Sequence, residues 1–395
     1  MNNNTKGVDI PLFFFIIYSG LPALSVYLSS SINVLVTICM YVYVVLKLKN
    51  RFVPVFFRFL PLFAVDILYC LGTTILGEDH FIRDFYGVLR ASLWPLLALI
   101  IVREDNKKLA RNALLLTLVV YSITAITTII GCSLYPGASR LITDTFQDEA
   151  YRSFLKSFNI GDYQFVYTIA LATPVLLFFL KYRTGNPILA ILFIVLFIYT
   201  IYSTEFTTAL LFSVFSLALA FVPKSYNVKK LLLISGILLT IIILSFDYLI
   251  VLLQDVSEMI QSDVVSQRFV ELSEGLSGDT LSEETDFAVR MDVWQKSWNA
   301  FTNNPLWGTY GKGGGHSLVL DTIGDFGFIG MFALIMSFRS LYTLFVRPYA
   351  KNDIYMFTSF LFLLTFVFSF FNTGVKFFVF SFIIPITAFY YSKQR

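Results

Sequence analysis

The sequence predicts an all-α polytopic membrane protein with about twelve membrane-crossing helices and one large loop outside the membrane. Only 14% of its 395 residues are charged, against roughly 25% in soluble domains. Hydrophobic residues make up 57% of the chain, with 43 Phe and 22 Tyr among them. Apolar runs close to the ~20 residues that cross a bilayer recur from end to end.

Taken in order, the polar segment Met1 to Asp9 has Lys6 as its single base, and the apolar run after it is expected to be a first span, not a cleaved signal. That span is Pro11–Tyr27. Ile32–Leu46 follows and exits into Lys47, Lys49 and Arg51. Val53–Leu76 is the third, and Phe85–Val102 exits into Arg103, Lys107, Lys108 and Arg111. Ala113–Ile130 is the fifth, and Gln164–Leu180 exits into Lys181 and Arg183. Pro187–Tyr202 comes next, then Phe206–Val222, which exits into Lys224, Lys229 and Lys230. Leu231–Ile250 is the ninth, and Ser317–Phe345 exits into Arg347 and Lys351. Tyr355–Phe371 and Val375–Tyr391 close the series, with Lys393 and Arg395 beyond them. Lys and Arg thus gather at the even-numbered exits. The positive-inside rule places those exits, and both termini, in the cytoplasm.

This topology divides the chain into nine spans over 1–252, a large outer loop over 253–316, and three spans over 317–395. A smaller outer loop, 132–163, carries Phe146, Tyr151, Phe154, Leu155 and Phe158 among Gln147, Asp148, Glu149, Arg152 and Lys156, the pattern of an amphipathic helix lying in the membrane interface. The large loop begins acidic, with Asp255, Glu258, Asp263, Glu271 and Glu274 among its carboxylates and Arg268 as its single base, and reads as solvated. No carboxylate pair stands with a histidine at metal-ligand spacing, so no metal and no cofactor is expected. Cys39, Cys70 and Cys132 lie far apart and form no CxxC pair, so neither a disulfide framework nor a thiolate metal site is indicated.

The second half of the large loop carries the chemistry. Arg290, Trp294, Trp298 and Phe301 fall at helical spacing ahead of Asn304-Pro305, which ends the helix. Such a face either rests at the interface, where Trp is favoured, or holds a sugar against an indole while the guanidinium grips a phosphate in bidentate fashion. Next come Gly311-Lys312-Gly313-Gly314-Gly315-His316-Ser317 at the start of the tenth span. Glycines at 313 to 315 let backbone N–H groups converge on an anion, or simply make a turn, with Lys312 adding charge. His316, one of two histidines in the chain, is either an interfacial cap on the helix beginning near Ser317 or a proton-transfer group beside a lipid-borne substrate. Gly324, Gly327 and Gly330 read as a close-packing stripe.

The ordered series Arg290-Met291-Asp292-Val293-Trp294, Asn304-Pro305-Leu306-Trp307-Gly308, Gly315-His316-Ser317-Leu318 and Gly324-Asp325-Phe326-Gly327 resembles the bacterial O-antigen polymerase and O-antigen ligase superfamily. The resemblance is most specific over 290–330 and extends to the rest through the span count and the single dominant loop. It implies a membrane fold like that of the GT-C glycosyltransferases, in the bacterial inner membrane with the large loop periplasmic. It also implies a metal-independent glycosyl transfer from an undecaprenyl-diphosphate-linked oligosaccharide, with His316 and Arg290 catalytic. Trp294, Trp298, Lys312, Gly313, Gly314 and Gly315 would bind substrate. The implied partners are that lipid-linked donor, membrane lipid and a chain-length regulator protein, with no nucleic acid. One departure stands out: where ligases carry Ser-Arg before the large loop, this chain has Ser203-Thr204-Glu205. Arg83, Arg90, Arg140 or Arg152 could take the missing role, and the departure points to polymerase over ligase. A flippase for the same lipid-linked unit is the alternative of another class, using Arg58, Asp66 and Lys376. It would be expected to show two similar halves, which are not visible here.

Overall fold

A computed structural model of the chain describes residues 7–28, 30–75, 81–142, 148–182, 186–217, 254–259, 263–277, 286–310, 314–370 and 378–392. Among the described residues every regular element is helical. The first helices are α1 (Ile10–Gly20), α2 (Pro22–Tyr27), α3 (Ser30–Leu48), α4 (Phe52–Phe59) and α5 (Ala64–Ile75). Then come α6 (Phe81–Arg103), α7 (Lys107–Leu134), the short α8 (Ala138–Leu141), α9 (Glu149–Ser157), α10 (Tyr163–Tyr182), α11 (Pro187–Ser203) and α12 (Thr207–Leu217). The last are α13 (Asp263–Ser277), α14 (Asp286–Asn303), α15 (Leu318–Phe345), α16 (Ile354–Phe368) and α17 (Ile384–Ser392).

Local chemistry sets these boundaries. The Asp9 carboxylate accepts from Leu12 N–H at 3.3 Å, and Pro11 sits in the first turn of α1, where its missing donor costs nothing. Asn106 and Asn186 cap α7 and α11 in the same way, accepting from Leu109 N–H and Ile188 N–H at 3.0 Å each. Pro22 forces Leu21 into extended backbone, so the first expected span is two helices, α1 and α2. The third is likewise α4 and α5 joined by a 3-10 turn at Leu60–Phe63 around Pro61. The twelfth enters α17 through a π-helical turn, Val379–Ile383. Left-handed residues at Lys49, Asp105 and Glu205 end α3, α6 and α11 and turn the chain into its next helix.

The described parts of the other expected spans are largely helical, while Leu231–Ile250 and residues 76, 218–222, 371 and 375–377 lie outside the described ones. Among the described residues five stretches are long and apolar enough to cross a membrane: Ser31–Gly72, Phe85–Arg103, Lys107–Leu134, Tyr163–Tyr182 and Leu318–Tyr349. Five shorter apolar helices accompany them.

α10 is the centre of the bundle, buried at every position from Phe165 to Phe178. Trp94 of α6 binds the C-terminal segment to the rest, with Phe378 at 4.4 Å and Phe15 and Phe382 at 4.9 Å. α7 turns the other way: Leu115, Val119, Ile123, Ile126, Ile130 and Leu134 form an exposed stripe at helical spacing, the surface a bilayer covers. α9 continues that stripe. Its Leu155 points inward, while Tyr151, Phe154 and Phe158 are exposed and Phe154 and Phe158 pack against Tyr135 at the end of α7. The amphipathic reading of this segment therefore rests on a helix whose aromatic face continues the apolar surface of α7.

The opposite end of α7 is tied by charge. Lys47 reaches Glu104 at 2.5 Å and Asp9 at 3.4 Å, and the Tyr43 hydroxyl donates to Asp9 at 2.7 Å. α1, α3 and the α6–α7 turn are fastened together there.

Candidate functional site

The site is built where α14 crosses the first half of α15. Ser297 and Ala300 of α14 are buried against it, and the helices approach until a Cβ on Gly324 would stand 2.7 Å from the Ser297 carbonyl oxygen. The turn after α14 is then stitched across α15. Gly308 N–H closes back on Asn304 O at 2.8 Å, Thr309 N–H donates to Gly324 O at 3.0 Å, and Tyr310 N–H donates to Asp325 O at 2.9 Å. Phe328 N–H returns a bond to Pro305 O at 2.8 Å. To expose these groups α15 breaks at Gly327, with φ 57 and ψ −138, a conformation confined to glycine. The expected packing stripe is thus only part of what these glycines do, since Gly327 makes a kink.

Residues 311–313, Lys312 and Gly313 among them, lie outside the described ones, and after them the chain is back on α14. Gly314 lies directly on Val293, where a Cβ would collide, and its N–H donates to Ser297 Oγ at 2.8 Å. Gly315 has φ +86, and His316 follows, exposed. Ser317, not His316, caps α15, its Oγ accepting from Leu320 N–H at 3.0 Å. Asp321 is only 5% exposed. Its Oδ1 accepts from Ser297 Oγ at 2.6 Å and its Oδ2 from Ser317 N–H at 2.8 Å. Asp325, also 5% exposed, accepts from the Tyr69 hydroxyl at 3.1 Å.

Arg290 sits on the face of α14 that carries Val293 and Ser297, three residues before Val293, or about 4.5 Å along the axis. Its charge acts on the Tyr163 hydroxyl at the start of α10. The Tyr163 ring packs on Phe206 at 5.5 Å, and the Arg140 guanidinium lies 6.0 Å from the other partner in that pair, Phe206. Glu205 stands close enough to the end of α7 to act on the Cys132 thiol. Arg290 and Glu205 thus lie within electrostatic range of Tyr163 and Cys132, and among the described arginine side chains Arg140 is the one placed over Phe206 of the α11–α12 turn. Arg90 instead lies over Tyr18 at 4.9 Å, and Arg152 belongs to α9; the Arg83 side chain lies outside what is described.

The aromatic face expected on α14 divides. Trp294 is half-buried, whereas Trp298 is 51% exposed and packs on Phe301, which in turn meets Phe328. Tyr163 and Phe206 were not singled out from sequence, because nothing in their spacing shows that they face Arg290 and Arg140. Arg58 and Asp66 are exposed, and Lys376 lies outside the described residues. Glu271 departs from the solvated reading of the acidic loop: it is 8% exposed, on a helix that also buries Val265, Phe269 and Ser273. The chain matches no protein-family model and no curated protein.

Proposed function

We propose that the chain is a glycosyltransferase of the bacterial inner membrane that polymerises undecaprenyl-diphosphate-linked O-antigen repeat units at the periplasmic face. In this reading the described helices belong to a GT-C-like bundle of about twelve spans, with both termini cytoplasmic. The observation that carries the proposal is the placement of His316. It is an exposed imidazole on a loop whose Gly314 packs on Val293, about one helical turn from Arg290, and hydrogen-bonds Ser297 one turn further along α14.

The acceptor sugar hydroxyl attacks the anomeric carbon of the donor and gives its proton to the His316 imidazole. The bond from that carbon to the diphosphate oxygen breaks, and undecaprenyl diphosphate leaves with the electron pair. Arg290, and Arg140 across the Tyr163–Phe206 pair, neutralise the charge that develops on the leaving group. Trp294 packs a sugar ring. A double displacement through a carboxylate has Asp321 and Asp325 as its nearest candidates, but both are buried and already hydrogen-bonded inside the fold. A single displacement that inverts the anomeric configuration follows.

Deletion of the gene tests the assignment on a lipopolysaccharide gel. A polymerase leaves one repeat unit attached and removes the ladder. Loss of every repeat unit would instead indicate the ligase or the flippase, and an unchanged ladder would reject all three.

A further inference from the structure

We propose that Asp321, acting through Ser297, is a positioning residue that holds His316 in its working place; the proposal rests on the reading of His316 as the proton acceptor. The two amides that flank Gly315-His316 end on one carboxylate. Ser317 N–H donates to Asp321 Oδ2 directly, at 2.8 Å. Gly314 N–H donates to Ser297 Oγ at 2.8 Å, and that hydroxyl passes its own proton to Asp321 Oδ1 at 2.6 Å. The short stretch bearing the imidazole is therefore clamped on both sides, once to the first turn of α15 and once to α14.

A helix cap alone does not explain this arrangement. Ser317 Oγ and Asp321 Oδ2 exchange bonds with main-chain amides in the manner of a capping box, but capping does not call for the bond from Ser297 to Asp321 Oδ1 or for Gly314 on Ser297. Burying a carboxylate costs free energy unless each oxygen is hydrogen-bonded, and here one oxygen is spent on a neighbouring helix and, through it, on a loop amide. The helices themselves are held by other means: Gly324 against the Ser297 backbone, and the main-chain bonds of Thr309 and Tyr310 to Gly324 and Asp325. Removing the clamp frees the loop and leaves the packing of α14 on α15 in place. Gly314 has no Cβ because Val293 occupies that space, so the loop meets α14 at van der Waals distance and a lost bond there translates into displacement of His316. A displacement on the order of 1 Å of a catalytic group is enough to slow a reaction by up to about a hundredfold.

The test uses the full-length protein purified in detergent, with Ser297→Ala, Asp321→Asn and His316→Ala, assayed on a lipid-linked repeat unit and by amide hydrogen exchange. Ser297→Ala and Asp321→Asn should each lower kcat by about tenfold or more at unchanged KM for the donor. Exchange over Gly314–Ser317 should accelerate in both, while exchange in the second half of α15 stays as in the wild type. Ser297→Thr, which keeps the hydroxyl, should restore both readouts. Wild-type kcat in Ser297→Ala, or a raised KM with kcat intact, would overturn the proposal, as would unchanged exchange over Gly314–Ser317. If Asp321→Asn exchanges everywhere, it has lost its fold and Ser297→Ala decides alone. His316→Ala separates the two levels: if it keeps full chain growth, the proton-acceptor reading fails whatever the loop exchange shows.

Discussion

Because Ser317 does the capping, the imidazole at 316 is not needed for the cap of α15. Exposed and outside the helix, it can be removed without opening a cavity or orphaning a buried group, so His316→Ala should change stability by no more than about 0.5 kcal/mol. The same substitution should abolish chain growth, which immunoblots of membranes run beside lipopolysaccharide gels would establish; a normal ladder at normal protein level would end its catalytic reading. Arg290→Ala should also stop chain growth, and Arg290→Lys should restore it poorly, since an ammonium lacks the planar fork that grips phosphate oxygens. Glu258→Ala, at an exposed position, should leave the ladder unchanged. His316 and Arg290 stand out in the sequence as candidates, the first because it is one of two histidines and follows a glycine-rich turn, the second because it falls at helical spacing with Trp294 and Trp298. Ser297, Tyr163 and Arg140 do not, since each is an ordinary residue until the packing of α14, α10 and α8 gives it neighbours.

The helices themselves were readable, because an apolar run of spanning length has few other ways to satisfy its backbone. What the pattern does not contain is where a helix bends. Gly324, Gly327 and Gly330 share a spacing, yet Gly327 alone leaves helical geometry, because the turn at 304–310 needs the main chain of α15 opened toward it. Gly327→Ala should therefore cost about 1–3 kcal/mol from backbone strain, and more from the collision of the new Cβ with the Pro305 carbonyl oxygen. Thermal unfolding in detergent should show a lower midpoint than Gly137→Ala, whose φ is also positive but whose Cβ would meet nothing. An equal or smaller loss would mean that the turn yields and α15 is not held open. At the other end of the bundle, Asp9→Ala removes the cap of α1, the acceptor for Tyr43 and one partner of Lys47. The loss should be about 1 kcal/mol, mostly from the cap, since the half-exposed ion pair adds little. The buried Glu271 teaches a similar lesson for α13: composition marks a segment as acidic, but the inward face set by Val265 and Phe269 decides which carboxylate meets solvent.

At the scale of the whole molecule, orientation is the property on which the functional reading depends. α7 has 28 residues, about 42 Å of helix, more than the ~30 Å of a bilayer core. At its first end lie Lys107 and Lys108, beside the cluster of Lys47, Asp9 and Glu104. At its last end Cys132 lies within electrostatic range of Glu205, whose neighbour Phe206 meets Tyr163 and Arg140. α15, also 28 residues long, leads from the His316 loop to Arg347 and Lys351. In the proposed orientation the basic exits and the candidate site stand at opposite ends of α7 and α15, and the positive-inside rule would put the site on the outer side. A reporter active only in the periplasm should work when inserted at Asp292 of α14 and fail at Lys108 or Lys351. Because a lipid-linked repeat unit is joined only after it reaches the outer leaflet, a silent reporter at Asp292 with active ones at Lys108 and Lys351 would put Arg290 and His316 on the wrong side of their substrate. The polymerase reading would then fail, even with every helix where it has been described.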